Sequence, residues 1–550
     1  MHTSAAVARR LSRLAAGILL ALALSMAVGA QTRPRFFADD PLWREPITNV
    51  GDIQRLEPSL FFDTIENVFT KPGDPNLDRR AQNVNTVEEV MDGPWFTNRA
   101  GLRQLSVDDV ARGANTGNGP ADGQWTIVSA KSDGVTPGFT IRDRQGDLWF
   151  LKFDPPGYRG MGSGSEVVAA KLFWALGYHT AEYYIASLRP SDLVIGESAT
   201  FTPPGAKQRR MREGDVRWLL KRAQVDPDGT YRVIASKAAP GRPIGRIAFH
   251  GTRSDDPNDL VPHEHRRELR GYRVFAAWLN HVDAKSINSL DVLVKEGDLQ
   301  FIRHYLLDFG STLGSGSVVP RDHFEGYEPV VEPFGEIGKR MISLGFRIPA
   351  WRTQAFYESP AIGRIPADHR NWDPELWTPR FPNAAFLRAR EDDKFWAARK
   401  LQGISNAMID AAVAQGRFGD SEAEARLATF LRERRDAITA RYLPAINPVV
   451  APAIDAAGTL SFANAAVDAG VAPAPGEYLV TWATFDNQTG EVREAGQTKG
   501  GLRQVAPTGL LSGTAAHLRV AIAAGAGAPA TWTQPMHAYF WRTPEGAWKQ

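Results

Sequence analysis

The chain has 550 residues, 43% of them hydrophobic, with 64 basic against 62 acidic side chains and a formal charge of +2. That length suffices for several domains with self-supporting cores, and the balanced charge gives no reason to expect nucleic acid or an anionic membrane as partner. Cysteine is absent, which excludes disulfides, thiolate catalysis and cysteine-ligated zinc.

Residues 1–30 carry Arg9, Arg10 and Arg13, no acidic residue, the apolar run GILLALALSMAVGA, and small Val28 and Ala30 ahead of Gln31. This is the pattern of a cleavable secretory signal peptide rather than a retained membrane span, so the mature chain is expected in the periplasm or outside the cell. Without those three arginines, 61 basic residues face 62 acidic ones. Residues 31–120 are rich in Pro, Asn and Asp with scattered aromatics (RFFADDPLW, NTVEEVMDGPWFTN) and read as an extended segment packed on the main domain.

From about residue 121 strand patterns begin. DLWFLKFD (147–154) places Leu148, Phe150 and Lys152 on one face and Trp149, Leu151 and Phe153 on the other. A lone ammonium on a strand apolar on both faces needs an anion, because burying it unpaired costs several kcal/mol; the alternative is a snorkelling lysine on an edge strand. SEVVAAKLFWALGY (165–178) then carries a helical stripe of Val168, Leu172 and Leu176, with Ser165 as cap and Gly177 as stop. Glu166, in the first turn of that helix, is a candidate partner for Lys152 or a carboxylate favoured by the helix dipole. The glycines of GYRGMGSGSE (157–166) read as a flexible connection to the helix, or else as an anion site at its N-terminus.

The segment 283–310 carries most of the chemistry. NSLDVLV (288–294) and LQFIRHYLL (299–307) are β-branched and aromatic-rich strands joined at Gly297-Asp298, a favoured hairpin pair. Opposing residues whose numbers sum to about 596 sets Asn288 against Asp308, roughly 5 Å apart, with Asp283 upstream. An amide oxygen and carboxylates at the open end of a hairpin suit magnesium, a hard cation that keeps positions for phosphate oxygens. Asp308 as a loop-capping carboxylate is the plain alternative.

The order Asp283, Lys285, Asn288, then Asp308-Phe309-Gly310 resembles the catalytic loop and metal-binding turn of the protein-kinase-like fold. That resemblance implies Asp283 as catalytic base, Lys285 as a phosphate contact, Asn288 and Asp308 as metal ligands, and ATP with Mg2+ as cofactors. It also implies Lys152 as a phosphate-holding lysine paired with Glu166. The triplet His281-Val282-Asp283 departs from the kinase pattern in having no arginine before the aspartate, which argues against control by a phosphorylated activation loop. Upstream, KSDGVTPGFTIRDRQGDLWFLKF and the following helix resemble the opening of HipA-like kinases, where a glycine-containing loop ahead of the lysine strand covers the phosphates. Gly134 and Gly138 would be the counterparts of that loop.

Other features read as structural. His263-Glu264-His265 lacks the spacing that puts two imidazoles on one helical face, Arg303 and His304 read as surface positions on a strand, and KQRRMR (207–212) as a solvated loop. No G-x-S-x-G elbow is present. DKFWAARKLQGISNAMIDAAVAQG and SEAEARLATFLRERRDAITARYL have helical periodicity, LPAINPVVAPAIDAAG (443–458) reads as a linker, and alternating segments beyond it favour a small β-sandwich. The expected fold class is therefore α+β, a two-lobed protein-kinase-like domain over residues 121–445 (N-lobe about 121–235, C-lobe about 236–445). A linker (446–458) and a C-terminal β-sandwich-like domain (459–550) follow. The expected activity is transfer of the γ-phosphoryl group of a magnesium-bound nucleotide to a hydroxyl of a protein, lipid or sugar. The competing expectation is a pseudokinase-like envelope scaffold that binds a partner through its β domain, and neither predicts a membrane span after leader removal.

Overall fold

Alternating β-branched and aromatic residues build the first sheet. Its strands are β1 (Trp125–Ala130), β2 (Gly138–Arg142), β3 (Leu148–Phe153), β5 (Tyr183–Leu188), β6 (Leu193–Phe201), β7 (Arg209–Arg210) and β8 (Tyr231–Lys237), with the short β4 (His179–Thr180) belonging elsewhere. The order is β5-β8-β3-β2-β1-β6-β7, antiparallel throughout except for β1 beside β6. The computed structural model describes residues 35–550 apart from 38, 58, 132–135, 331–349 and 370–371, so the expected leader and Gly134 lie outside the described residues.

One face of β3 is closed and the other half open. Trp149, Leu151 and Phe153 are buried in a cluster with Ile127, Phe139, Ile141 and Val233, whereas Phe150 on the Lys152 face is exposed. The helix after β3 begins earlier than its sequence suggests. Helix α2 spans Met161–Leu176, following α1 (Leu60–Phe69), and Glu166 therefore sits in its second turn rather than its first. Ser165 does not cap it. The Asp154 carboxylate does so, accepting from Gly160 N, Ser163 N and Ser163 Oγ at 2.7–2.8 Å. The glycine cluster read as a flexible connection is thus partly helical: a Cβ on Gly164 would fall 2.4 Å from the Phe418 ring, so close packing requires the bare backbone. The anion at this N-terminus is the chain's own Asp154.

A second sheet, β4-β11-β10-β9, comprises β9 (Arg242–Gly245), β10 (Ser289–Glu296), β11 (Leu299–Leu306) and the short β4. Its buried apolar residues cluster with Val50 and Ile53, and the helices α3 (Arg267–Trp278), α4 (Glu391–Gln402), α5 (Asn406–Gln415) and α6 (Ser421–Tyr442) pack on one another. The periodic stretch 391–415 breaks into two helices at Gly403, where Ser405 recaps the chain by accepting from Met408 N. His304 is buried rather than on the surface. It pairs with Asp291 at 2.7 Å and stacks on Trp95 with centroids 3.5 Å apart. His263 and His265 point to different carboxylates, Asp259 and Asp74, and form no common site. Arg209, in the run read as a solvated loop, lies in the edge strand β7 and forks onto Asp215.

The stretch read as a linker contains β14 (Val449–Ile454), which pairs with β15 (Thr459–Asn464) in a three-stranded sheet; a five-stranded sheet spans residues 478–549. Buried residues of both, among them Phe462, Val480, Trp482 and Phe540, join one hydrophobic cluster with the helices. Residues 35–120 are largely irregular, and they link distant parts of the chain. Phe36 N donates to Asn487 Oδ1 and Phe36 O accepts from Asn487 Nδ2, both at 2.8 Å, while the Phe36 ring stacks on His517. Further on, Glu45 meets the buried Arg266 and Asn98 Oδ1 accepts from Lys400.

Gly177 ends α2 with φ +126°, and a Cβ there would lie 2.1 Å from the Phe96 ring. Both the left-handed backbone and the overpacked ring oppose any side chain. Gly177→Ala should therefore cost on the order of 2–4 kcal/mol, read as a fall in the thermal unfolding midpoint; an unchanged midpoint would show that Phe96 can move aside freely.

Candidate phosphoryl-transfer site

Side chains from three elements meet at Lys152. Its Nζ lies 2.8 Å from Glu166 Oε1 in α2 and 2.7 Å from Asp308 Oδ1 beyond β11. The sheet supplies the lysine because position 152 falls on the half-open face of β3, opposite Gly138 of β2. Gly138 is itself dictated by packing. A Cβ there would fall 2.1 Å from the Leu151 carbonyl oxygen, so the geometry assigns this glycine to close strand pairing rather than to a loop over phosphates.

The three charges hold one another. Burial opposes the Lys152 ammonium, but Asp308 and Glu166 outweigh it and raise its pKa. Lys152 pulls the Asp308 carboxyl down to about 2, while half of that side chain meets water that screens the attraction. Glu166, only 3% exposed, moves the other way because burial dominates.

Asp308 reaches Lys152 through an unusual backbone. β10 and β11 pair from Glu296↔Leu299 to Ser289↔Leu306, and Leu307 N donates to Asn288 O at 2.9 Å. The register is therefore one residue short of that expected, and Leu307 rather than Asp308 stands opposite Asn288. A one-residue slip turns a side chain to the other face of a strand. The chain leaves the strand at Asp308, whose φ of 55° and ψ of 60° redirect the carboxylate. Few non-glycine residues adopt that region, and those that do cluster at functional sites.

A second group forms on the turn before β10. Asn288 Nδ2 donates to Asp283 O at 2.7 Å and Asp283 Oδ2 at 3.0 Å, and Lys285 Nζ lies 2.8 Å from Asp283 Oδ1. That last contact is an ion pair to a buried carboxylate oxygen. Burial pushes the Asp283 carboxyl upward, but Lys285, Arg380 and Asn288 more than offset it and the pKa lies below its ordinary value. Sequence reasoning did not find Arg380, whose guanidinium Nη1 lies 3.8 Å from Asp283 Oδ1. It comes from a segment almost a hundred residues later, with no local pattern to mark it. His281 ties the two groups together: its ring packs on Phe309 and Phe173, burial lowers its pKa to about 4, and both Asp283 and Asp308 act on it.

Lys152, Glu166, Asp308, Gly162, Gly310 and Ser317 line a narrow cleft. The oxygen donors are compatible with magnesium. With its amide nitrogen committed to Asp283, Asn288 keeps an amide oxygen that accepts no hydrogen bond among the described residues, and Asp308 contributes a half-exposed carboxylate. No group of three or more His, Asp or Glu among the described residues is placed to hold a metal. Magnesium takes one or two protein oxygens and fills its shell with water and phosphate.

Lys152→Met would leave Glu166 buried beside Asp308 without its cation, raising its folded-state pKa further. A carboxyl with a raised folded pKa stabilises the protein at acid pH and loses that contribution as pH rises through the folded value. The variant should unfold below wild type by a margin that widens from about pH 5 to about pH 8, reaching ~3 kcal/mol. A margin independent of pH would mean that Glu166 does not depend on Lys152.

No family model matches the chain, and no curated protein matches it. Among the described residues no helix is long and apolar enough to cross a membrane. Similar solved structures include the Helicobacter pylori proinflammatory kinase CtkA, at 14% identity and a TM-score of 0.28 over 56% of this chain and 94% of that one. They also include the Golgi casein kinase, at 10% identity and a TM-score of 0.26 over 75% of this chain and 97% of that one. These scores are too low to establish a shared fold.

Proposed function

We propose that this chain is a two-lobed, kinase-like phosphotransferase of the HipA-like kind, exported from the cytoplasm, that moves the γ-phosphoryl group of magnesium-bound ATP to an acceptor hydroxyl. The C-terminal sheets would form a β-sandwich-like binding domain. One observation carries the reading: Lys152 of β3 meets Glu166 of α2 and Asp308 after β11, beside a loop where Asp283, Lys285 and Asn288 interlock.

In this reading Lys152 holds phosphate oxygens while Glu166 keeps its ammonium in place when Asp308 turns to a different partner. Asp308 and Asn288 would hold a magnesium ion, which would supply neutralisation of the phosphate charge. Lys285 sits beside the base to meet the transferred group. The Asp283 carboxylate accepts the acceptor's proton as the new O–P bond forms and the bond to the β-phosphate oxygen breaks. ADP then leaves and the proton passes to solvent. A pKa below the ordinary value makes Asp283 a weak base, so positioning and charge neutralisation supply most of the rate.

A scaffold without turnover is the second reading. The Lys152–Asp308 contact favours it, because it spans the cleft that the phosphates of a nucleotide would have to enter. Calorimetry with ATP, with and without magnesium, separates the two. Binding that requires magnesium and disappears in Asp308→Ala is the expected result, and absence of binding in the unaltered protein moves the assignment to the scaffold. Asp283→Asn should keep nucleotide affinity and lose turnover by about 10²-fold or more; undiminished turnover would remove Asp283 from the mechanism.

A further inference from the structure

The balanced total charge conceals one local excess. Residues 207–222 hold seven basic side chains against two carboxylates, Glu213 and Asp215. Both carboxylates are already taken: Asp215 accepts from Arg209 at 2.7 Å on each oxygen, and Glu213 accepts from Arg217 at 3.2 Å. Lys207, Arg210, Arg212, Lys221 and Arg222 are all exposed and pair with no carboxylate among the described residues. Packing gathers them at one edge of the molecule. Strand β7 ends the seven-stranded sheet, with Thr200 opposite Arg210 and Phe201 opposite Arg209. The helix Glu213–Leu220 folds against it, burying Leu219 and Leu220 with Phe201 and Met211. The Phe201 and Trp218 rings meet edge-on with centroids 5.8 Å apart, and the Arg222 guanidinium lies over Trp218, 4.8 Å from the ring centre. Trp218 itself is 39% exposed.

Two ordinary reasons for surface cations fall short here. Charges on an edge strand deter further strand pairing, but of the five only Arg210 lies in β7. Cations suit the C-terminus of a helix, which accounts for Lys221 and Arg222, whereas Arg212 holds the N-cap of the same helix, where the dipole opposes it. Five like charges with no counterion in the chain raise the local potential and call for an anionic partner. We propose that this edge docks on an anionic phospholipid surface, with the five cations meeting headgroup phosphates and Trp218 lying at headgroup level beside Arg222. Docking of this kind does not depend on phosphotransfer. A nucleic acid duplex presents phosphates at fixed spacing, whereas mobile headgroups can follow cations spread over a loop, a strand end and both ends of a helix. A single strand would bind through a series of rings on which its bases stack, and the described residues 201–222 offer one exposed aromatic, Trp218.

The test is flotation of the full chain with vesicles of phosphatidylglycerol and phosphatidylcholine in equal parts, against vesicles of phosphatidylcholine alone. The expected result is flotation with the anionic vesicles at about 50 mM salt and release at about 500 mM. Lys221→Gln combined with Arg222→Gln should lower the partition coefficient about 25-fold, about fivefold for each cation removed. Lys295→Gln combined with Lys499→Gln, exposed cations elsewhere, should leave it unchanged. All four side chains are exposed, so the unfolding midpoint should stay at the wild-type value; if the first pair lowers it, Lys207→Gln with Arg210→Gln carries the same expectation. Equal flotation on both kinds of vesicle, which the apolar run at residues 17–30 would give by itself, overturns the proposal. So does undiminished flotation of the folded double variant, or tighter binding to single-stranded oligothymidine than to the anionic vesicles, which would reassign the edge to nucleic acid.

Discussion

One ammonium group organises the centre of this molecule. Lys152 stands on a strand whose other face is sealed, and its charge is tolerable only because two carboxylates reach it from elements fourteen and 156 residues away. Each partner imposes a condition on the fold. Glu166 must project from the second turn of α2, which requires α2 to begin at Met161 and so requires the Asp154 cap and the glycines that admit Phe418. Asp308 must leave β11 in a left-handed conformation, which α2 supports from behind through Phe173 stacked on the buried Phe309. The strand, the helix and the hairpin are thereby set relative to one another by one cation.

Much of this arrangement is written locally. The parity of β3 put Lys152 on a face of its own, the Gly297-Asp298 pair set the hairpin turn, and the long periodic segments became helices. Errors arose where tertiary packing overrode local signals. Glycines in 160–164 suggested a loop, yet Gly164 is bare because Phe418 lies against it, a contact across some 250 residues with no trace in the local pattern. The stretch at 443–458 looked like a linker by composition, but β15 offers an edge for it to pair with. The hairpin register was misjudged by one residue, and the strand-end conformation of Asp308 that compensates cannot be inferred from residue types.

What could not be read at all was the second layer around the candidate base. Arg380 and Asn383 from one late segment and Asn67 from an early helix converge on a loop of six residues from two remote places. None belongs to a motif with fixed spacing. Local patterns identify groups that act together within one element pair, whereas a surrounding shell is assembled by the whole chain.

The anchoring of Phe36 has a consequence of another kind. Asn487 grips the backbone on both sides of this residue across a separation of 451 positions, and the arm that begins there runs past Arg266 before forming the helix that roofs the Asp283 loop. During synthesis the first folded part of the arm has no seat until the final sheet has emerged. Closing so long a loop late makes folding slow and leaves apolar surface of the arm open in the meantime. The arm that lines the Asp283 loop is thus held at its start by a segment synthesised some 450 residues later.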